Sequence, residues 1–90
     1  MTLEEDFEDC EKTYRKETGH STSRVDEMVK RYGLKAAIEG LIIKGFDSSG
    51  LKTCKKHGIL DKSFESLVLR YPKEFPVAVR VAADFNLKHV

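Results

Sequence analysis

Apolar side chains recur every three or four positions along almost the whole of this 90-residue chain. This spacing puts them on one face of an α-helix, whereas a half-buried strand needs strict alternation. The segment 34–44 carries the most apolar stripe and is predicted to form the central core helix. The stripe consists of Leu34, Ala37, Ile38, Leu41 and Ile42. The periodicity therefore predicts an all-α fold, a compact bundle of five or six short helices.

Residues typical of helix ends divide the chain into successive helices. Thr2 and Glu5 form a capping box at the start of the first helix, and Gly19 is expected to end it. Further helices are predicted over 24–32, 34–44, 49–57 and 62–71. Ser23 and Asp61 are expected to cap two of them, and residues 46–49 to supply a turn and another cap.

Two patterns compete beyond Pro76. Val77, Val81 and Phe85 lie four residues apart, which favours a helix with Pro76 in its first turn. The alternating residues Val77, Val79 and Val81 would also fit a short strand. We favour the helix.

Length and composition limit the chain to one helical domain over residues 1–90. Its core is expected to contain Leu41, Ile42, Phe64, Leu67 and Val68. No run of 18 apolar residues is present, so no membrane span is expected. The acidic opening lacks the basic and apolar stretches of a signal peptide, and two cysteines are too few for a disulfide scaffold. Both features indicate the cytoplasm.

Charge is distributed unevenly although the net charge is only +1. Residues 1–18 hold seven acids and three bases, a net charge of −4, and are predicted to form an acidic N-terminal helix. The segment 51–58 carries Lys52, Lys55 and Lys56 without any acid. A basic patch of this kind indicates an anionic partner, although many charge clusters are merely solvated faces.

The residues around these lysines resemble the helix-turn-helix of small phage and plasmid DNA-binding regulators. The resemblance covers residues 50–68, within a candidate motif spanning 49–71. Cys54 occupies the small-residue position of the first helix and Gly58 the turn. Phe64 and Leu67 lie where the second helix has its buried face.

The resemblance implies a sequence-specific or general duplex DNA-binding protein, a small transcriptional regulator from a mobile element, with the helix near 62–71 in the major groove. Base edges would be contacted from the outward face of that helix by Lys62, Ser63, Glu65 and Ser66, next to Leu69. Phosphate contacts would come from Lys52, Lys55, Lys56, Arg70 and Lys73. The oligomeric state stays open, with a homodimer among the alternatives.

Enzyme chemistry finds little support in the sequence. Cys54 and His57 share a helix face, but a structural zinc site needs two more ligands and only Cys10, His20 and His89 remain. No glycine-rich phosphate loop is present. We therefore expect neither catalysis, nor a cofactor, nor a bound metal.

A protein-interaction module is the main alternative function. The acidic N-terminal helix could dock on a basic protein partner, as acidic inhibitors do, with the remaining helices as its scaffold. Binding of random duplex DNA at low salt would favour the first hypothesis, and binding only to a protein with a basic groove would favour the second.

Overall fold

The computed structural model describes residues 1–44 and 49–90. Within these ranges the chain forms six α-helices and no strand, which confirms the all-α prediction. Two single 3₁₀ turns, Leu60–Lys62 and Pro72–Glu74, precede and follow the fifth helix. The helices are α1 (Leu3–Thr18), α2 (Ser23–Tyr32), α3 (Leu34–Lys44), α4 (Ser49–Lys56), α5 (Phe64–Arg70) and α6 (Val77–His89). Apart from Ser49, the turn predicted at 46–49 lies outside the described residues.

Both ends of α1 have the predicted caps. The Thr2 hydroxyl accepts from the Glu5 amide at 3.2 Å, and the Thr2 amide donates to the Glu5 carboxylate at 2.8 Å. This reciprocal pair satisfies amides that have no partner within the helix. Gly19 ends the helix in the left-handed conformation, with φ of +73°.

The caps of α2 and α5 differ from those predicted. Thr22, not Ser23, precedes α2, and its hydroxyl bonds Arg15 and Asp26 instead of a helix amide. Ser63, not Asp61, caps α5 by accepting from the Ser66 amide. Because a 3₁₀ turn takes up residues 60–62, α5 begins two residues later than expected.

The core is built around two helices, because α3, the central helix that the sequence suggested, packs against α2, α5 and α6, and α5 packs against α1, α3 and α6. Leu67 and Val68 are completely buried and Ile42 nearly so, as predicted. Leu41 and Phe64 are only partly buried, although Phe64 stacks on Phe7 with ring centroids 5.5 Å apart. The cluster also includes Leu3, Cys10, Ile38, Phe75, Val79 and Ala83.

The segment after Pro76 is helical, as we favoured. Its inward residues are Val79, Ala83 and Asn86. The stripe that predicted the helix points the other way, since Val77 and Val81 are each more than 60% exposed and Phe85 is 48% exposed. The periodicity identified the helix but not the side that packs.

The turn after α4 requires glycine at position 58. Gly58 has a φ of +70°, which confirms the left-handed conformation expected of it. A Cβ at this position would meet no atom within 4 Å, so backbone strain alone should decide the effect of a substitution.

Gly58→Val is expected to lower the free energy of unfolding by about 1 to 2 kcal/mol, because a β-branched residue is strained in this region. Urea denaturation measures the difference, and Gly58→Asn is the matched variant because asparagine tolerates positive φ. If valine and asparagine had the same small effect, the turn would not have the described conformation.

Candidate nucleic-acid interface

A short basic surface lies on the outer side of α4. Leu51 and Cys54 face the core, whereas three lysines point outward and are exposed, followed directly by exposed His57. We call Lys52, Lys55, Lys56 and His57 the α4 surface. Cations in the last turn of a helix also interact favourably with its dipole, so Lys55 and Lys56 stabilise α4 locally as well.

The C-terminal end of α6 adjoins this surface. Lys55 Nζ donates to the backbone oxygen of Val90 at 2.6 Å, which ties the two helix ends together. Beside Val90, the His89 ring stacks on Phe85 with centroids 4.0 Å apart. Within the described part of the chain, neither Lys52 nor Lys56 has a carboxylate partner. Their positive charge is therefore free to act on an anion from outside.

Two of the predicted base-contacting residues lie at the boundary between α1 and α5. Lys62 forms an ion pair with Asp9 of α1, with 2.6 Å between Nζ and Oδ2. The hydrogen bond from Lys62 to Asp9 raises the pKa of the ammonium group, opposed by desolvation. Ser63 is buried and its hydroxyl donates to the Leu60 carbonyl. These side chains connect elements of the protein itself.

The other two predicted base contacts are also engaged inside the molecule. Glu65 is only 6% exposed and accepts from the Asn86 amide of α6 at 3.2 Å. Burial raises the pKa of Glu65, and the hydrogen bond from Asn86 opposes that shift. Ser66 is half-buried and donates to the Leu60 carbonyl at 2.6 Å. The expectation that this face points outward is thus wrong for Ser63 and Glu65; Leu69 is the exposed residue of the set.

The arrangement of α4 and α5 also differs from the predicted motif. Residues 57–63 separate the two helices, whereas a helix-turn-helix has a turn of three or four residues. The 3₁₀ turn within this connection packs on both helices. The buried Cys54 thiol lies on the side of α4 that faces α1. As a result, α5 is enclosed by α1, α3 and α6 and is not presented as a free helix.

The five predicted phosphate contacts are not all brought together. Arg70 is held by α1, because Nε and Nη2 donate to the two carboxylate oxygens of Asp6 at 2.9 and 3.0 Å. Lys73 is exposed but lies on the second 3₁₀ turn, a different element from α4. The structure therefore groups Lys52, Lys55 and Lys56 only.

The acids of α1 are less available than their number suggested. Asp6 pairs with Arg70, Asp9 pairs with Lys62, and Glu5 accepts the amide of Thr2. Glu11 is buried. The remaining acids of α1, all exposed, are Glu4, Glu8 and Glu17. This helix is therefore joined to the bundle by its acids as well as by its apolar stripe.

Both thiols are buried structural groups. Burial raises the pKa of Cys10 and of Cys54 to about 11, so each stays protonated and weakly nucleophilic at neutral pH. No three His, Cys, Asp or Glu side chains in the described ranges are grouped as a metal site would need.

Buried pairs of polar groups were not foreseen from the sequence. Asn86 and Glu65 are 21 positions apart, and Arg70 and Asp6 are 64 positions apart. Polar residues so far apart in the chain produce no periodic pattern in the sequence, so only the fold reveals which of them come into contact.

No helix in the described residues has the length and apolar character required to cross a membrane. Comparisons with protein-family models, with curated proteins and with solved structures find no match for this chain.

Proposed function

We propose that this protein binds duplex DNA through the sugar-phosphate backbone, using the lysines of the α4 surface, as a small cytoplasmic protein without catalytic activity or cofactor. The observation that supports the proposal most strongly is the exposure of Lys52, Lys55 and Lys56 in a segment that contains no acid. Clustering of this kind creates a local positive field that the net charge of +1 conceals.

Backbone contacts position a protein on DNA without selecting a sequence. Selection needs side chains that reach base edges, and those predicted for that role are engaged between α5 and its neighbours. The hydrogen bond from Asn86 and the ion pair with Asp9 would both have to break before Glu65 and Lys62 could reach outward. Of the two alternatives that the resemblance left open, sequence-specific and general binding, we therefore propose general binding.

Salt dependence tests this proposal. Three phosphate contacts imply that the logarithm of the binding constant falls with the logarithm of salt concentration at a slope of about −2.7 for duplex DNA. The variant carrying Lys52→Gln, Lys55→Gln and Lys56→Gln should bind at least tenfold more weakly at 50 mM salt, with a slope close to zero. Fluorescence anisotropy with labelled duplexes of unrelated sequence measures both quantities.

The matched control replaces three exposed lysines on other elements, Lys12, Lys16 and Lys73, with glutamine. It changes the net charge equally and should retain most of the affinity and of the slope. Equal loss of affinity in both variants would show that only the total charge matters. The absence of duplex binding at 50 mM salt would contradict the proposal directly.

A further inference from the structure

Two carboxyl groups face each other where α1 meets α2. Glu11 of α1 is only 6% exposed, and its carboxyl lies close to that of Asp26 of α2. Burial, together with the hydrogen bond and the negative charge of Asp26, raises the pKa of Glu11 to about 7. One oxygen of Glu11, Oε2, is buried without a hydrogen-bond partner. Such a pair needs either a proton or a cation to relieve its repulsion.

The pair lies at the side of a groove between the two helices with a volume of about 430 Å³. We call this the α1–α2 groove. Its apolar residues are Phe7, Val29 and Leu34, and its charged residues are Glu4, Glu8, Glu11, Asp26 and Lys30. Four acids and one base give the lining a formal charge of −3 when all are ionised. The groove thus combines an apolar surface with strong negative charge.

Cations of the protein itself leave the unpartnered oxygen unsatisfied. Arg15 approaches the pair but its Nη1 donates to the Thr22 hydroxyl at 2.6 Å. Thr22 in turn donates to Asp26 at 3.4 Å. Lys30 lines the groove without forming an ion pair among the described residues. The groove also contains the carboxyl groups of Glu4 and Glu8, and Arg15 and the Thr22 hydroxyl lie close enough to favour the ionised form of Glu11. Glu11 also lines the neighbouring cavity, whose other charged or titratable residues are Cys10, Tyr14, Arg24, Lys44, Cys54, Lys62 and Glu65.

We propose that the α1–α2 groove binds an arginine side chain presented by a basic segment of a partner protein. The methylene groups of the arginine would lie along Phe7, Val29 and Leu34, while its guanidinium group would donate to Glu11 and Asp26. Long cationic side chains commonly cover apolar surface in this way with their charge at the polar end. The groove is separate from the α4 surface, so this proposal does not depend on DNA binding.

Arginine fits the site better than lysine for a geometric reason. The guanidinium group is planar and carries five N–H donors, so it can donate to two carboxylates at once. An ammonium group is a compact, strongly hydrated charge that gains less from two adjacent acceptors.

The test uses a blocked pentapeptide with one central arginine between glycines, titrated into the whole chain and followed by ¹H–¹⁵N NMR. Amide shifts should concentrate on α1 and α2. Glu11→Gln should weaken binding at least tenfold at pH 8. Its control, Glu17→Gln, removes an exposed acid of the same helix and should change the affinity by less than twofold. Thermal unfolding of both variants verifies that they are folded.

The pH dependence gives a second measurement that a general loss of charge would not reproduce. A cationic ligand requires ionised Glu11, so binding should weaken about tenfold between pH 8 and pH 6, in proportion to the ionised fraction of a group with a pKa near 7. This difference should be absent in Glu11→Gln.

Several outcomes would overturn the proposal. One is that Glu17→Gln weakens peptide binding as much as Glu11→Gln does. Another is that a peptide with neutral citrulline in place of arginine, or a peptide with lysine in its place, binds as tightly as the arginine peptide. Occupation of the groove by a second copy of the chain would also overturn it. That occupant would appear in analytical ultracentrifugation as association abolished by Glu11→Gln.

Discussion

Arg70→Ala is expected to lower the free energy of unfolding by about 3 kcal/mol, because it would leave the buried carboxylate of Asp6 without its cation. The guanidinium group joins three parts of the chain. It donates to both oxygens of Asp6, to the Asp61 carbonyl at 2.6 Å and to the Cys10 thiol at 3.3 Å. We place the effect at the lower end of the usual range because the Arg70 side chain is 36% exposed.

Urea denaturation at pH 7 measures this loss, with Lys73→Ala as a control that removes an exposed cation nearby. The control should cost less than about 0.5 kcal/mol. Arg70→Lys should show an intermediate loss, since lysine restores the charge but not the two parallel hydrogen bonds. Equal effects of alanine at positions 70 and 73 would show that the pairing with Asp6 contributes little.

Lowering the pH should reduce the difference in free energy of unfolding between the wild type and Arg70→Ala. The hydrogen bond from Arg70 lowers the pKa of Asp6 below its ordinary value of 3.8. Stability from this pair is therefore present above the unfolded-state pKa and is lost as the pH falls through the folded-state pKa. The two proteins should therefore approach each other in stability as the pH falls below the ordinary Asp pKa of 3.8.

Asn86→Ala is expected to destabilise the fold by about 2 kcal/mol, because two buried acceptors would lose the same donor. Asn86 is almost fully buried, and its Nδ2 donates to the Ile42 carbonyl and to Glu65 Oε2, each at 3.2 Å. One amide thereby connects α6 with both α3 and α5. Thermal and urea unfolding measure the loss, with Asp84→Ala on the exposed side of α6 as the control.

A double-mutant cycle that combines Asn86→Ala with Glu65→Leu measures the interaction between these two side chains apart from their other contacts. In the protein that already carries Glu65→Leu, Asn86→Ala should lower the free energy of unfolding less than it does in the wild type, because no buried acid then loses its donor. Additive costs would show that Asn86 acts through Ile42 only. This result would also mean that Glu65 gains little from its contact with α6.

The outcome for α6 shows what periodicity can predict. Val77, Val81 and Phe85 favoured a helix because residues four positions apart lie on one helix face, although the alternation of Val77, Val79 and Val81 also fitted a strand. The side that packs is nevertheless the one carrying Val79, Ala83 and Asn86. Two faces of this helix have comparable apolar character, so the choice between them depended on the surfaces of α3 and α5.

The candidate site was likewise predictable only in part. The exposure of Lys52, Lys55 and Lys56 was predictable, because Leu51 and Cys54 are the apolar residues that orient the short helix α4. The outward position assigned to Glu65 was wrong, because α5 packs against α1, α3 and α6 on several sides and Glu65 contacts Asn86 of α6.

The amino-acid sequence by itself determined the helical class, the capping box at Thr2 and the turn at Gly58. These features depend on residues a few positions apart, where hydrogen-bond geometry and steric exclusion act directly. Only the tertiary structure decided that α5 shares the core with α3 and that Arg70 meets Asp6, Asn86 meets Glu65 and Glu11 meets Asp26. Such pairs form after distant segments have packed, and their energies come from desolvation in an environment that no local stretch of sequence specifies.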